Sequence, residues 1–181
     1  NRRWAEANKV LAAAYKEADT LDLTVLRLEC ASRLLIAYRL AGQIELVEAL
    51  CPEASALAHA IGMPLHEGVV KAQEAWLLLR HGEQATAYAF ATQALAIWEK
   101  QRFPMRWLAQ WIMLAVQLSV GQVADAVQSA WYMLEGNEQA HNPEVVAVLS
   151  YAVDSWTLDA VQQTVEFLRK VVELGYLHGY L

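Results

Sequence analysis

The sequence predicts an all-α protein, an array of antiparallel helix pairs stacked side by side, and a repeated layout supports this prediction. The stretch from Gly42 to Pro64 and the stretch from Gly82 to Pro104 both place Pro 22 residues after Gly. In each stretch Gly opens a turn, a helix-forming segment follows, and Pro then occupies the first position of the next helix. A third copy begins at Gly121, so the layout recurs about every 40 residues and indicates a structural repeat.

Composition agrees with a helical domain and disfavours two classes of partner. The chain has 181 residues, 56% of them hydrophobic, and only four Pro and eight Gly, so one domain over residues 1–181 has ample material for a continuous core. A formal net charge of −6 disfavours nucleic-acid binding, because phosphate contacts need an excess of Lys and Arg. Apolar runs stay below the roughly 20 residues of a membrane span. We therefore expect a cytoplasmic protein that binds neither nucleic acid nor membranes.

Helical periodicity divides the chain, in order, into nine segments that pair through short turns. The first segment carries Trp4, Asn8, Leu11 and Tyr15 at spacings of three and four, which is typical of an amphipathic helix. The predicted helices cover residues 3–18, 23–41, 43–61, 65–81, 83–101, 104–120, 122–135, 143–155 and 158–174. The stretch 136–142 is rich in turn formers and predicts a longer loop.

Two segments depart from the regular pattern. Pro52 falls inside the third predicted helix, where it removes a backbone donor and predicts a kink or a restart near Leu50 or Cys51. The last predicted helix repeats the pattern more weakly, since Ser155 replaces the turn glycine and Asp159 lies in the first helical turn. No segment alternates with a period of two, so no strand is expected.

Side chains with catalytic or metal-binding chemistry do not form a recognisable motif. No two histidines have the i, i+4 spacing of a helical zinc site, and ordinary surface positions are predicted for His59, His66, His81, His141 and His178. Cys30 and Cys51 are expected as buried free thiols inside helices. The sequence contains neither a phosphate-binding Gly-rich loop nor a nucleophile elbow. We expect a protein that is not an enzyme and that binds no metal or cofactor.

The repeats resemble the tetratricopeptide repeat, in which small residues on the second helix allow close packing on the first. The small positions fall on Ala87, Ala91 and Ala94 in one repeat and on Ala126 and Ala130 in the next. The aromatic residue of the first helix is matched by Tyr38 and Tyr151, whereas Leu78 and Gln117 replace it elsewhere, and Val47, Cys51 and Met133 occupy small-residue positions. The period is also longer, about 40 residues against about 34 in that family.

The longer period, the longer helices and the Pro at the turn between repeats are similar to the MalT-like repeat regions of bacterial signalling proteins. This resemblance covers essentially the whole chain. It implies a right-handed superhelical solenoid for sensing or scaffolding, attached to an ATPase module and to a DNA-binding or nucleotide-cyclase domain. The chain begins without Met, and its last residues match the entry to an earlier helix, Gly175 with Gly62 and His178 with His66. We therefore expect a fragment of a longer multidomain protein.

In such arrays the first helices line the concave side, and here they carry large apolar residues flanked by two arginines. The resemblance implies a partner-binding groove lined by Arg39, Val69, Trp76, Leu79, Arg80, Leu108, Trp111 and Leu118. Large exposed apolar patches mark interfaces, and Trp with Arg is the composition of binding hot spots. The alternative is that Trp76 and Trp111 pack against neighbouring repeats as ordinary core residues.

Three functions stay open on the sequence alone. The first is a non-catalytic interaction module of a bacterial signalling protein or transcriptional regulator, which binds a peptide, a helix or a neighbouring domain in the groove. The second is a small-molecule effector sensor, which would need a closed pocket with convergent polar groups. The third is a scaffold domain of a larger enzyme such as a nucleotide cyclase. A homodimer is a further possible assembly.

Overall fold

The computed structural model describes residues 2–99, 103–135 and 141–181, and all regular structure in these ranges is helical. The helices are α1 (Arg2–Thr20), α2 (Thr24–Leu40), α3 (Ile44–Ile61), α4 (Pro64–Arg80), α5 (Gln84–Trp98), α6 (Trp107–Ser119), α7 (Val123–Glu135), α8 (Pro143–Thr157) and α9 (Val161–Leu177). The all-α prediction is confirmed within these ranges. Most of the loop predicted over residues 136–142 lies outside the described residues. Of the helices described, none has the length and apolar character needed to cross a membrane.

The turns after α2, α3, α4 and α6 share one geometry, in which a glycine adopts the left-handed conformation. Gly42, Gly62 and Gly82 have φ of 68°, 69° and 84° and lie 20 residues apart, and Gly121 has φ of 78°. The backbone amide of the residue after each glycine then donates a hydrogen bond to a carbonyl near the end of the helix. The residue after Gly82, for example, donates to the Leu78 carbonyl at 2.8 Å. These bonds satisfy carbonyls that a helix end leaves free. The predicted role of the turn glycines is confirmed.

Two other turns use aspartate in the same place. Asp22 precedes α2 with φ of 53°, and Asp159 precedes α9 with φ of 59°. Aspartate is one of the few residues besides Gly that tolerate this conformation. The start predicted for the last helix was therefore wrong, because Asp159 makes the turn and α9 begins only at Val161. Ser155 does not stand in for the turn glycine either, since it lies inside α8 and is buried.

Helix α3 runs through Pro52 without the restart expected near Leu50 or Cys51. The proline lacks the amide that would bond to the carbonyl of Glu48, one turn earlier. Both Pro52 and Glu48 lie on the exposed side of α3, where water can hydrogen-bond to that carbonyl. The helix therefore continues past the missing bond.

Replacing Gly82 by Val is expected to lower the free energy of unfolding by about 1 kcal/mol or more. No heavy atom lies within 4 Å of the place where a Cβ would stand, so the cost comes from the φ of +84° alone. Gly82→Asn is the control, because Asn tolerates the left-handed conformation better and should lose less stability. Denaturant titrations of both variants test this, and a Val variant as stable as the parent would contradict it.

Helices α2 to α7 pack in two layers. The first helices α2, α4 and α6 contact one another in order, while α3, α5 and α7 each pack between their own partner and the next first helix. Helix α6 lies at the centre, and every residue from Trp107 to Gln117 is buried. A helix that is apolar on nearly all sides is suited to that position, and Gln110 and Gln117 are the polar residues in this stretch.

The last helix pair does not continue this order. A regular continuation would place α8 beside α6, but it is α9 that contacts α6 and α7, and no Cα atom of α8 lies within 8 Å of one in α6. Gly175 allows the approach, because a Cβ there would stand 2.8 Å from a ring carbon of Trp111. The chain that follows α9 is thereby directed back towards the first helices.

Small residues occupy the buried side of α5, and both thiols of the chain are buried in helices. Ala87, Ala91 and Ala94 of α5 are fully buried, as the stripe of small residues predicts. Cys30 and Cys51 are free and buried, which confirms the prediction for both. Burial raises the pKa of Cys51 to about 12, so its thiol stays protonated and unreactive at neutral pH.

Candidate functional site

The residues predicted to line a groove do come together, but their surface is not open. Arg39 of α2, Trp76 of α4 and Trp111 of α6 have 0%, 1% and 0% of their surface exposed. Trp111 is covered by Gly175 of α9 and by Tyr180, which follows this helix. Their burial favours the alternative interpretation, in which Trp76 and Trp111 pack as core residues, and their role in a partner-binding groove stays a prediction.

The other predicted groove residues fall into two groups. Those that belong to the hydrophobic core are Val69, Leu79 and Leu108, which have 2%, 8% and 0% of their surface exposed. Leu118 is half-buried, and only Arg80 is exposed. The guanidinium of Arg80 lies 5.9 Å from the Trp76 ring and 5.6 Å from the Tyr176 ring, so it connects the edge of α4 to α9.

Residues 178–181, which we call the docking segment, leave α9 and lie against the first helices. Gly179 has φ of +75°, and a Cβ at this position would stand 2.5 Å from the carbonyl oxygen of Leu40. Only glycine therefore fits this backbone against the end of α2. The predicted match between Gly175 and the turn glycine Gly62 was wrong, since Gly175 lies within α9 and Gly179 makes the turn.

Tyr180 anchors the docking segment in a set of aromatic side chains. Its ring stacks on Trp111 at 5.0 Å between centroids and 11° between planes, and its edge contacts are with Trp107 at 5.6 Å and with His141 at 5.5 Å. The backbone amide of Asn142 donates to the Tyr180 hydroxyl at 3.4 Å. One aromatic residue thus contacts α6 and the segment before α8 together.

The carbonyl of Tyr180 is bound by Arg39. Nη2 of Arg39 donates to this oxygen at 2.5 Å, and the guanidinium lies 5.8 Å from the Trp76 ring and 5.6 Å from the Trp107 ring. No salt bridge joins Arg39 to a carboxylate in the part of the chain described. Burial lowers the pKa of Arg39 to about 9, so the side chain still carries its charge at pH 7. The charge is stabilised by two indole faces and one neutral carbonyl.

Several buried polar atoms of Arg39 and of the tryptophans on α4 and α6 have no hydrogen-bond partner among the described residues. Within the described residues, Nε and Nη1 of Arg39 and the indole nitrogens of Trp76, Trp107 and Trp111 have no partner. Indole and guanidinium nitrogens can only donate. Buried donors are normally paired, so Arg39 keeps hydrogen-bonding capacity that the described side chains do not use.

His141 is the main residue that sequence reasoning placed wrongly. It was predicted on the surface, but it is only 8% exposed and lies 6.3 Å from the Trp107 ring and 6.0 Å from the Trp111 ring. Burial lowers its pKa below the usual value, so the imidazole is neutral at pH 7. His66 is half-buried, with Nδ1 2.8 Å from the Ser32 hydroxyl. The prediction is correct for His59 and His81, which are exposed.

The structure also has an open cleft of about 540 Å³ at the start of α2, lined by Asp22, Leu23, Thr24, Val25, Leu26 and Glu29. It lies at the edge of the array, away from the docking segment. Among the described residues, no three His, Cys, Asp or Glu side chains are arranged to hold a metal ion. The cluster around Arg39 and Tyr180 is therefore the candidate site.

The chain matches no protein-family model, no curated protein and no solved structure in the three comparisons made.

Proposed function

We propose that this chain is a non-catalytic interaction module, a tetratricopeptide-like array whose first helices bind an extended peptide. The docking segment occupies that peptide site within the same chain. We further propose that the array winds as a right-handed superhelix and regulates a larger bacterial signalling protein or transcriptional regulator. The observation that carries the proposal is the way in which Tyr180 is held, by its ring on Trp111 and by its backbone on Arg39.

The docking segment makes the contacts that a bound peptide makes. An aromatic side chain enters a pocket of aromatic residues, a main-chain carbonyl accepts a hydrogen bond, and Gly179 lets the backbone approach Leu40. Leu181 adds an apolar contact and is 1% exposed. These contacts all come from residues beyond the end of α9.

A peptide is favoured over a small-molecule effector by the shape of the site. An effector pocket would be enclosed and lined by convergent polar groups. The cleft at the start of α2 is open, and its lining residues belong to a single stretch from Asp22 to Glu29. The site around Tyr180 is instead filled by four consecutive residues of polypeptide. A site that binds an extended peptide would accommodate the docking segment in this way.

The test compares Gly179→Val with Gly82→Val. Both variants strain a left-handed residue, but only the side chain at 179 would also collide with the backbone of Leu40. Gly179→Val should therefore expel the docking segment, shift the tryptophan fluorescence to longer wavelength and open the groove. A variant that lacks residues 178–181 should behave in the same way.

The opened variants should bind a fluorescein-labelled peptide with the sequence Leu-His-Gly-Tyr-Leu and an amidated end, as measured by fluorescence anisotropy. The parent and Gly82→Val should bind it at least about tenfold more weakly, because their own segment competes at an effective concentration on the order of millimolar. If neither opened variant binds this peptide more tightly than the parent, the proposed function is wrong.

A further inference from the structure

The docking segment lies against a buried histidine, His141. The imidazole makes edge contacts with three aromatic rings, those of Trp107 at 6.3 Å, Trp111 at 6.0 Å and Tyr180 at 5.5 Å between centroids. It is only 8% exposed, and burial lowers its pKa below the usual value of 6.5. Protonation would bring a charge into this contact, and a buried charge without a counter-ion is unfavourable. The docked arrangement therefore favours the neutral imidazole.

A positive charge already present in the cluster makes protonation of His141 less favourable still. The guanidinium of Arg39 lies 5.6 Å from the Trp107 ring, and burial lowers its pKa only to about 9, so it is charged at and below neutral pH. Two cations would then contact the same indole, in surroundings of low dielectric constant where like charges repel strongly. No salt bridge joins a carboxylate to either side chain in the described part of the chain.

The other groups around His141 do not offset this repulsion. Helix α6 contributes the uncharged indoles of Trp107 and Trp111, and the docking segment contributes the phenol of Tyr180, which takes up no proton in the acidic range. Helix α8 begins two residues after His141, and the positive end of its dipole disfavours a nearby cation. Glu144, in the first turn of α8, is exposed, so solvent screens its charge.

The docking segment carries a second histidine, His178, whose contact also requires the neutral form. The side-chain oxygen of Asn142 accepts from the backbone amide of Glu144 at 2.9 Å, so the side-chain nitrogen of Asn142 is the atom that lies 3.4 Å from Nε2 of His178. That nitrogen can only donate, so Nε2 accepts and carries no hydrogen. An imidazolium has hydrogen on both ring nitrogens and would lose this bond. Acid therefore opposes docking at two histidines.

We propose that the site around Tyr180 holds its aromatic occupant at neutral pH and releases it in mild acid, with His141 as the main group that senses pH. When the occupant leaves, His141 meets water and takes up a proton that the closed site excludes. The open state therefore binds more protons, so docking is strongest above pH 6.5, the usual pKa of the imidazole, and weakens as the pH falls below it. The docking segment is the occupant in this structure, and the extension to a bound peptide rests on the proposed function.

Hydrogen exchange at the backbone amide of Tyr180 measures the release without any ligand. This amide donates to the Gly175 carbonyl at 2.8 Å, and its protection factor, measured by NMR and corrected for the intrinsic rate at each pH, reports the opening equilibrium. Between pH 7.5 and pH 5 the factor should fall by about threefold or more, within the limit of about tenfold per pH unit for one proton. The Glu83 amide, which donates to the Leu78 carbonyl at 2.8 Å in a turn of the same kind, is the control and should keep its protection.

Substitutions identify the group that takes up the proton. His141→Phe keeps an aromatic ring and His141→Gln keeps a polar group, and each should remove most of the pH dependence at Tyr180. The fall should persist in His178→Gln and in His59→Gln, which changes an exposed histidine. A protection factor that stays constant or rises in acid would overturn the proposal. So would a fall that survives in both His141 variants, that His178→Gln abolishes or that Glu83 shares.

Peptide binding to the opened Gly179→Val variant separates this proposal from the proposed function. The probe is labelled Leu-Gln-Gly-Tyr-Leu with an amidated end, so that the ligand itself has no group that titrates in this range. Its affinity should fall between pH 7.5 and pH 5 by about the same factor as the protection at Tyr180, because it needs the same neutral His141. Binding at both pH values with equal affinity would overturn the proposal and leave the proposed function standing. If protection depends on pH but the peptide binds at neither pH, the pH-dependent release of the docking segment stands and the proposed function fails.

Discussion

Replacing Trp111 by Ala is expected to lower the free energy of unfolding by about 3 to 5 kcal/mol, the range for large aromatic residues truncated in a core. The indole has no exposed surface, stacks on Tyr180 and lies against Gly175 of α9. Its loss would leave a cavity between α6 and α9 and would remove the surface on which the docking segment lies. Denaturant titration followed by far-ultraviolet circular dichroism measures the loss.

Trp131→Ala is the matched control for that variant. Trp131 lies on α7 with 39% of its surface exposed and packs only against the neighbouring Tyr132 among the aromatic contacts described. Surface substitutions away from special features usually change stability by roughly 0.5 kcal/mol or less, so the control should lose far less than Trp111→Ala. Equal losses in the two variants would show that Trp111 does not have the core role assigned to it. A large loss at Trp111 alone would confirm that this indole stabilises the fold as well as the docking segment.

Gly68→Ala is expected to destabilise the protein by about 2 to 4 kcal/mol, through overpacking and a lost hydrogen bond. A Cβ at this position in α4 would stand 2.3 Å from Nε1 of Trp98, which is fully buried and donates to the Leu65 carbonyl at 3.1 Å. The indole would have to move and lose that bond. At an open site in a helix, Gly to Ala stabilises by about 1 kcal/mol, so the sign of the effect is itself the test.

A second substitution at Trp98 shows whether the collision is the cause. In a Trp98→Leu background the ring atoms next to Gly68 are gone, so the same Gly68→Ala change should become neutral or stabilising. The difference between the two backgrounds is a coupling energy, and residues in direct contact give values of about 0.5 to 3 kcal/mol. A Gly68→Ala variant that is more stable than the parent in the original background would refute the close contact between α4 and α5.

Turn chemistry explains why so much of the fold could be predicted from the sequence. Gly42, Gly82 and Gly121 occupy left-handed positions that few other residues tolerate, so their spacing locates the helix ends. Asp159 adopts the same left-handed conformation. Because it is not a glycine, the repeated pattern did not locate this turn, and the start of α9 was misplaced. The restart expected at Pro52 does not occur, and the reason is different. Its effect depends on whether water reaches the carbonyl one turn earlier, and a local sequence does not show that.

The candidate site was predicted only in part, because it is formed by residues far apart in the chain. The resemblance to the tetratricopeptide repeat placed Arg39, Trp76 and Trp111 on neighbouring first helices, and α2, α4 and α6 do contact one another in that order. It gave no signal that Tyr180 would cover them, since this depends on α9 replacing α8 beside α6. The approach of α9 depends in turn on Gly175, which was interpreted as a turn residue. His141 was missed because its partners, Trp107 and Trp111, are set by tertiary packing.

The bond from Arg39 to Tyr180 joins residues 141 positions apart, and it changes how the array should unfold. In an open row of repeats each unit contacts only its neighbours, so the two ends fray independently and stability grows unit by unit. Here one hydrogen bond ties α2 directly to the residues that follow α9, across the helices between them. We therefore expect that loosening α2 also loosens the docking segment, and the reverse, so a change at one of them is transmitted to the other without passing through every intervening helix.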